Sequence, residues 1–183
     1  VYKATFKFEA HPDPVAVKVF KLDQLGAPKT FFAECEALRN TRHRNLIRVI
    51  SLCSSLDQMG NEFKALILEY MGNGTLESWL HSSKVDTQEN KRTGRMLNLG
   101  SRILVAVDIV AALDYLHNWC RPPLVHCDLK PSNVLLDDDM VDHVSDFGLA
   151  KFLHGCDSSV RVMSSANIAG PRGSIGYIAP GEN

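Results

Sequence analysis

The stretch LVHCDLKPSNVLLDDDMVDHVSDFGLA, residues 124–150, decides how this chain is read. Polar residues of mixed type are interleaved with Val and Leu in runs too short for a helix. Such a pattern predicts short strands and loops held on a rigid scaffold, where catalytic groups usually lie. Pro122-Pro123 marks where this region begins. Just upstream, Leu99 to about His117 has the length and period of a long helix, and Ile103, Val107, Val110 and Leu113 are spaced to line one buried face.

Further out, the apolar stretches Leu46 to Leu52 and Phe63 to Tyr70 flank the polar turn Asp57 to Asn61, as in an antiparallel pair. Gly72-Asn73-Gly74 ends the second of them. Thr75 can then cap a short helix carrying Leu76, Trp79 and Leu80, and Ser82 to Arg95 reads as a loop. Thr30 to Asn40 places Phe31, Cys35 and Leu38 at helical spacing, with Phe32 beside them. Val15 to Phe20, VAVKVF, is β-branched and apolar around one lysine, so it predicts a buried or half-buried strand. A lysine inside such a strand needs a partner or a task.

The whole chain has 183 residues and a hydrophobic fraction of 45%, enough for one folding unit with a sizeable core. Lys+Arg number 20 against 21 Asp+Glu, and a net charge of -1 supplies no field to attract nucleic acid. The five cysteines, Cys35, Cys53, Cys120, Cys127 and Cys156, are widely spaced without a CxxC pair. That argues against a disulfide framework or a zinc site and fits a reducing, cytosolic setting. The apolar run Ile103 to Val110 contains Asp108 and is too short to span a bilayer, and the N-terminus has no signal-peptide pattern.

His126-Cys127-Asp128-Leu129-Lys130-Pro131-Ser132-Asn133 resembles the catalytic loop of protein kinases, and Asp146-Phe147-Gly148 resembles their metal-binding DFG motif. Val15-Ala16-Val17-Lys18 looks like the strand-lysine motif, and Glu34 stands on the amphipathic helix as its ion-pair partner. Four elements fall in the family's order. The stretches ECEALRNTRHRNLIRVISLCSS, ILEYMGNGTLESWLH and RGSIGYIAP extend the likeness to plant leucine-rich-repeat receptor-like serine/threonine kinases, over essentially the whole chain.

The resemblance implies an α+β, two-lobed protein kinase-like fold, with residues 1–71 as a partial N-lobe and hinge and 72–183 as a partial C-lobe through the activation segment. It implies ATP and Mg²⁺ as cofactors and protein serine or threonine as substrate. Phosphoryl transfer asks a protein mainly to position and stabilise a dispersed anionic charge, and the residue types suit that task. Lys18 would offer its charge to the α- and β-phosphates, held by Glu34. Asn133 and Asp146 supply the hard oxygen ligands that Mg²⁺ prefers. Asp128 would accept or orient the substrate hydroxyl proton, and Lys130 would offset charge on the transferred group. Val1, Ala16 and Leu135 would face the adenine, with Leu68 as gatekeeper, and Glu69 and Met71 would lend hinge backbone groups. Ser174 would bridge Asp128 and Lys130, which favours serine/threonine over tyrosine substrates. Ser158, Ser159, Ser164 and Ser165 make the preceding segment resemble an activation loop open to phosphorylation. Asp137-Asp138-Asp139 reads as a solvated turn.

Two departures from the family stand out. Cys127 replaces the arginine that would pair with an activation-loop phosphate, placing the chain in the non-arginine (HCD) class; the cysteine itself reads as structural. The family's glycine-rich loop would precede Val1, and its helical base would follow Ala179-Pro180-Gly181-Glu182. The fold is therefore expected to be truncated at both ends, and the chain alone is expected to expose apolar surface, aggregate, and bind ATP weakly or not at all. The resemblance also implies receptor-type signalling in defence or development, at the cytosolic side of the plasma membrane, with a co-receptor or downstream kinase as partner. The competing reading is a catalytically inactive scaffold, which the intact Lys18, Asp128 and Asp146 oppose.

Overall fold

The computed structural model describes residues 1–6, 13–22, 26–39, 41–56, 59–81, 96–153 and 173–178. The expected loop at Ser82 to Arg95, the four serines between 158 and 165, Cys156 and the stretch 179–182 lie outside the described residues.

Strands β1 (Tyr2–Ala4), β2 (Val15–Phe20), β3 (Val49–Leu56) and β4 (Glu62–Glu69) form an antiparallel sheet in the spatial order β1-β2-β4-β3. β2 covers the residues its β-branched composition predicts. Its register sets Lys18 opposite Leu66 and Ala16 opposite Leu68 on β4. β3 begins at Val49 rather than Leu46, because Leu46 and Ile47 are taken up elsewhere. Leu46 bridges Val144, and the Ile47 N–H donates to the Val144 carbonyl at 3.0 Å.

Helix α1 spans Ala27–Arg39 and starts three residues before Thr30. Pro28 is tolerated there because first-turn N–H groups have no intrahelical acceptor to lose. The Thr30 N–H reaches back to the Gly26 carbonyl at 3.0 Å and closes the first turn. The helix buries Phe31, Glu34, Ala37 and Leu38. Phe31 meets Phe20 of β2 edge-on at 5.0 Å, which docks the helix on the sheet.

After β5 (Gly74–Thr75), the side chain of Thr75 caps helix α2 (Leu76–Leu80) by accepting from the Ser78 N–H. Helix α3 spans Leu99–Asp114 and continues as a π-helical turn, Tyr115–Trp119. Next come β6 (Leu124–Val125), β7 (Val134–Leu136), β8 (Asp142–Val144) and β9 (Lys151–Phe152). One sheet has the order β5-β7-β8, and β6 pairs with β9.

The buried face of α3 differs from the one its spacing predicts. Ile103, Val107 and Val110 are exposed and Leu113 is half-buried, whereas Val105 and Ala112 are buried and Leu116 follows them in the π-helical turn. The helix carries apolar residues on two stripes, so the 3.6-residue period is satisfied by either. Packing selected the second. Leu116, Leu124, Val144 and Phe147 join Phe31, Leu38, Leu46 and Leu66 in one cluster, while Val105 packs with Leu76, Leu97 and Val134 in a second.

Among the described residues, Cys35, Cys53, Cys120 and Cys127 form no disulfide. Among the described residues, no helix is long and apolar enough to cross a membrane.

Candidate active site

Strand β2 carries Lys18 to a point where its ammonium meets two carboxylates from distant parts of the chain. Nζ donates to Glu34 Oε2 at 2.6 Å and Oε1 at 2.9 Å, and to Asp146 Oδ1 at 3.0 Å. Glu34 is 1% exposed, so its charge depends on this partner. Burial works against the Lys18 ammonium, yet the two carboxylates outweigh it and hold its pKa above the ordinary lysine value. Burial also raises Glu34, and Lys18 restrains that rise.

Asp146 reaches the lysine from a left-handed backbone conformation, with φ of 64°. Gly148 follows where the chain passes closest to α1. A Cβ built there would lie 2.6 Å from Thr30 Cγ2, so only glycine lets the backbone approach.

The second cluster grows from His126, buried beneath the loop. Its Nδ1 accepts the Asp128 N–H at 3.2 Å, which leaves Nε2–H to donate to the Ser145 carbonyl at 3.0 Å. Burial lowers the His126 pKa and keeps the ring neutral, as this tautomer requires. The ring also meets Phe147 edge-on at 4.8 Å. One imidazole thus ties the segment before Asp128 to the segment before Asp146. Sequence reasoning assigned His126 no role; its place two residues before Asp128 was the available signal.

Asp128 is then surrounded by donors. Lys130 Nζ donates to Oδ2 at 2.9 Å, Asn133 Nδ2 to Oδ2 at 3.0 Å, and the Ser174 hydroxyl to Oδ1 at 2.8 Å. Lys130 Nζ also donates to the Ser174 oxygen, completing the bridge expected of that serine. Burial opposes ionisation of Asp128, but these donors overcome it and hold the carboxyl below the usual aspartate range. It is an ionised acceptor at neutral pH.

The other expected residues fall as follows. Ala16 and Leu135 pack against the main core cluster, to which buried Leu68 and Met71 belong. Val1 stands exposed just ahead of β1. The Glu69 N–H bonds the Arg48 carbonyl and its side chain pairs with Arg48 at 2.6 Å, while the Met71 carbonyl accepts from Gly74. A cavity of about 510 Å³ opens beside Lys18, Phe20, Thr30 and Asp146. A larger cavity of about 730 Å³ lies between α1 and β3 and shares no lining residue with it. Asp137 closes its own turn by accepting from the Asp139 and Val141 N–H groups and pairing with His143. Asp138 and Asp139 are exposed, as a solvated turn requires.

Sequence comparison agrees with this geometry, since the family model for the protein kinase domain matches residues 1–181. This chain belongs to the protein kinase domain family. The kinase domain is 51% identical over 180 residues to a probable LRR receptor-like serine/threonine-protein kinase of Arabidopsis thaliana, covering 98% of this chain and 17% of that protein. It is 49% identical over 180 residues to the receptor kinase-like protein Xa21 of Oryza sativa subsp. japonica, covering 98% of this chain and 16% of Xa21. With the LRR receptor-like serine/threonine-protein kinase EFR of Arabidopsis thaliana it shares 48% over 166 residues, 91% of this chain and 16% of EFR. The kinase domain thus spans about a sixth of the length of these relatives.

Proposed function

We propose that the protein transfers the γ-phosphoryl group of ATP to serine or threonine hydroxyls of a protein substrate, with residues 1–71 and 72–183 as the two lobes around the site. The observation that carries this reading is the closed set of hydrogen bonds joining Asp128, Lys130, Asn133 and Ser174. Here Asp128 orients the incoming hydroxyl and accepts its proton, and Lys130 offsets the charge that develops opposite. Lys18, aimed by Glu34, holds the α- and β-phosphates. Ala16, Leu68 and Leu135 enclose the adenine together with Val1, while Glu69 and Met71 offer backbone groups at its edge. The Ser174 bridge supports a preference for aliphatic hydroxyls.

The amide of Asn133 and the carboxylate of Asp146 form a hard-oxygen donor pair that fits Mg²⁺. When bound, that ion neutralises phosphate charge. Asp146 has a side chain 45% exposed beside Lys18, so its carboxylate is accessible from the cleft. The relatives' names further support a place in receptor signalling, and the proposal extends this to the cytosolic side of the plasma membrane with a co-receptor or downstream kinase as partner.

The test has two parts. Contrary to the weak or absent ATP binding expected from the resemblance, Mg-ATP should raise the melting temperature of the purified protein, and Asp146→Ala should remove the Mg²⁺-dependent part of the rise. Radiolabel from ATP should appear on casein serine and threonine, and Asp128→Asn should suppress it. Binding without transfer would overturn the catalytic reading in favour of a scaffold, and no Mg-ATP shift would overturn both.

A further inference from the structure

Among the described residues, Asp142 is the one buried acid that the phosphoryl-transfer site does not use. It opens β8, four residues before Asp146, and is 1% exposed. Its Oδ2 is fully buried without a hydrogen-bond partner. Helix α3 packs across β8 and presents a second carboxyl, Asp108, within hydrogen-bonding reach of Asp142. Two ionised carboxylates cannot bond each other, because both only accept. Buried together they would carry a large repulsion.

The surroundings offer little relief. On the 41–46 segment, Arg44 Nη2 stands 3.7 Å from Asp108 Oδ2, but that guanidinium is 70% exposed. His43, on the same segment, is pushed toward its neutral form by burial and by Arg44. Asn45 donates to the Asp142 backbone carbonyl, not to its carboxylate. On β8 itself the neighbouring His143 pairs with Asp137, the acid just beyond β7. The Asp142 backbone N–H and the nearby His143 favour its charge, but a second acid, Asp108, is set against it.

We propose that Asp142 keeps its carboxyl proton and donates it to Asp108, forming a pH-sensitive latch between helix α3 and the strand that leads to Asp146. The Asp142 carboxyl donates that proton to an Asp108 oxygen, and the bond is lost when the proton passes to solvent. Burial, followed by the Asp108 charge, raises the Asp142 pKa to about 6. The latch is consequently closed in mildly acidic solution and opens toward neutrality. Because the Val144 N–H bonds the Asn45 carbonyl and Ile47 bonds the Val144 carbonyl, movement of β8 is transmitted to the segment that begins β3.

This inference stands apart from phosphoryl transfer and is tested without it. Melting temperatures of the chain and of Asp142→Asn are measured from pH 5 to pH 8. The amide of the variant can donate permanently to Asp108, so the variant should melt about 3–6 °C higher at pH 7.5, and the gain should shrink toward zero at pH 5. Asp108→Asn should behave in the same direction. A difference independent of pH, or no gain at pH 7.5, overturns the latch. If the variants do not fold, infrared spectra of the wild-type chain decide the matter. A protonated-carboxyl band that titrates near pH 6 supports the latch, and its absence at pH 5.5 overturns it.

Discussion

Glu34 and Asp142 are equally buried, each 1% exposed, yet they occupy opposite electrostatic situations. Glu34 projects from α1 into the reach of Lys18, which grips both its oxygens. Asp142 lies against α3 and faces Asp108. Burial raises both pKa values, but a cation restrains the rise at Glu34 while a second anion adds to it at Asp142. The lesson is that burial alone does not decide the state of an acid. The charge delivered to it by a distant segment does.

The largest effect is expected at a third buried acid, Asp128, whose charge is engaged in the cleft by Lys130, Asn133 and Ser174. Asp128→Asn should lower turnover by roughly 10²–10⁴-fold with little change in nucleotide affinity, read from steady-state kinetics and ATP binding. An equal loss of affinity would show that Asp128 acts through structure rather than through the hydroxyl proton.

Removing Lys18 should turn the Glu34 site into a site like that of Asp142. Lys18→Met is expected to cost about 3 kcal/mol at neutral pH, because breaking a buried pair leaves one charge uncompensated. With the cation gone, Glu34 should hold its proton to higher pH, so the variant should recover stability as the solution is acidified. In the wild type the contribution of Lys18 changes with pH in the same direction but in a far more alkaline window. Its folded pKa is raised, so its stabilisation is complete below the ordinary value of 10.5 and is lost only as pH rises through the raised value. Urea melts of both proteins at pH 5 and pH 8 check this; a cost that does not change with pH would break the comparison.

Gly148 offers a smaller probe of the same junction. Gly148→Ala should destabilise by roughly 1–3 kcal/mol, since the new methyl meets Thr30. Adding Thr30→Ser removes the clashing Cγ2 and should restore much of the loss in a thermal melt. The smallest effect is expected on the outer stripe of α3, where Val110→Gln should change stability by no more than about 0.5 kcal/mol. A large loss there would mean that the stripe predicted from spacing is the one that packs.

Strand β2 and the cap at Thr75 were legible in the residues, because each depends on local composition, whereas Lys18, Asp128, Asn133 and Asp146 were singled out by the resemblance of their motifs to those of protein kinases. Helix α1 was legible from Thr30 onward, but its first turn, which contains Pro28, was not. The inward stripe of α3 was not, since Ile103, Val107 and Val110 satisfy the helical period as well as Val105, Ala112 and Leu116 do. His126 was visible in the loop motif, but its bond to the Ser145 carbonyl belongs to a contact nineteen residues away.

The amino-acid sequence by itself determined the element types, the order of the chemical groups and the protein kinase family. The first two rest on periodicity and turn chemistry and the family on the resemblance of its motifs, all carried by neighbours along the chain. Only the tertiary structure decided that Lys18 meets Glu34 and Asp146, that α3 turns its second stripe inward, and that Asp142 finds another acid. Electrostatic energy depends on distance in space and on excluded water, and neither is set until helices and strands have packed.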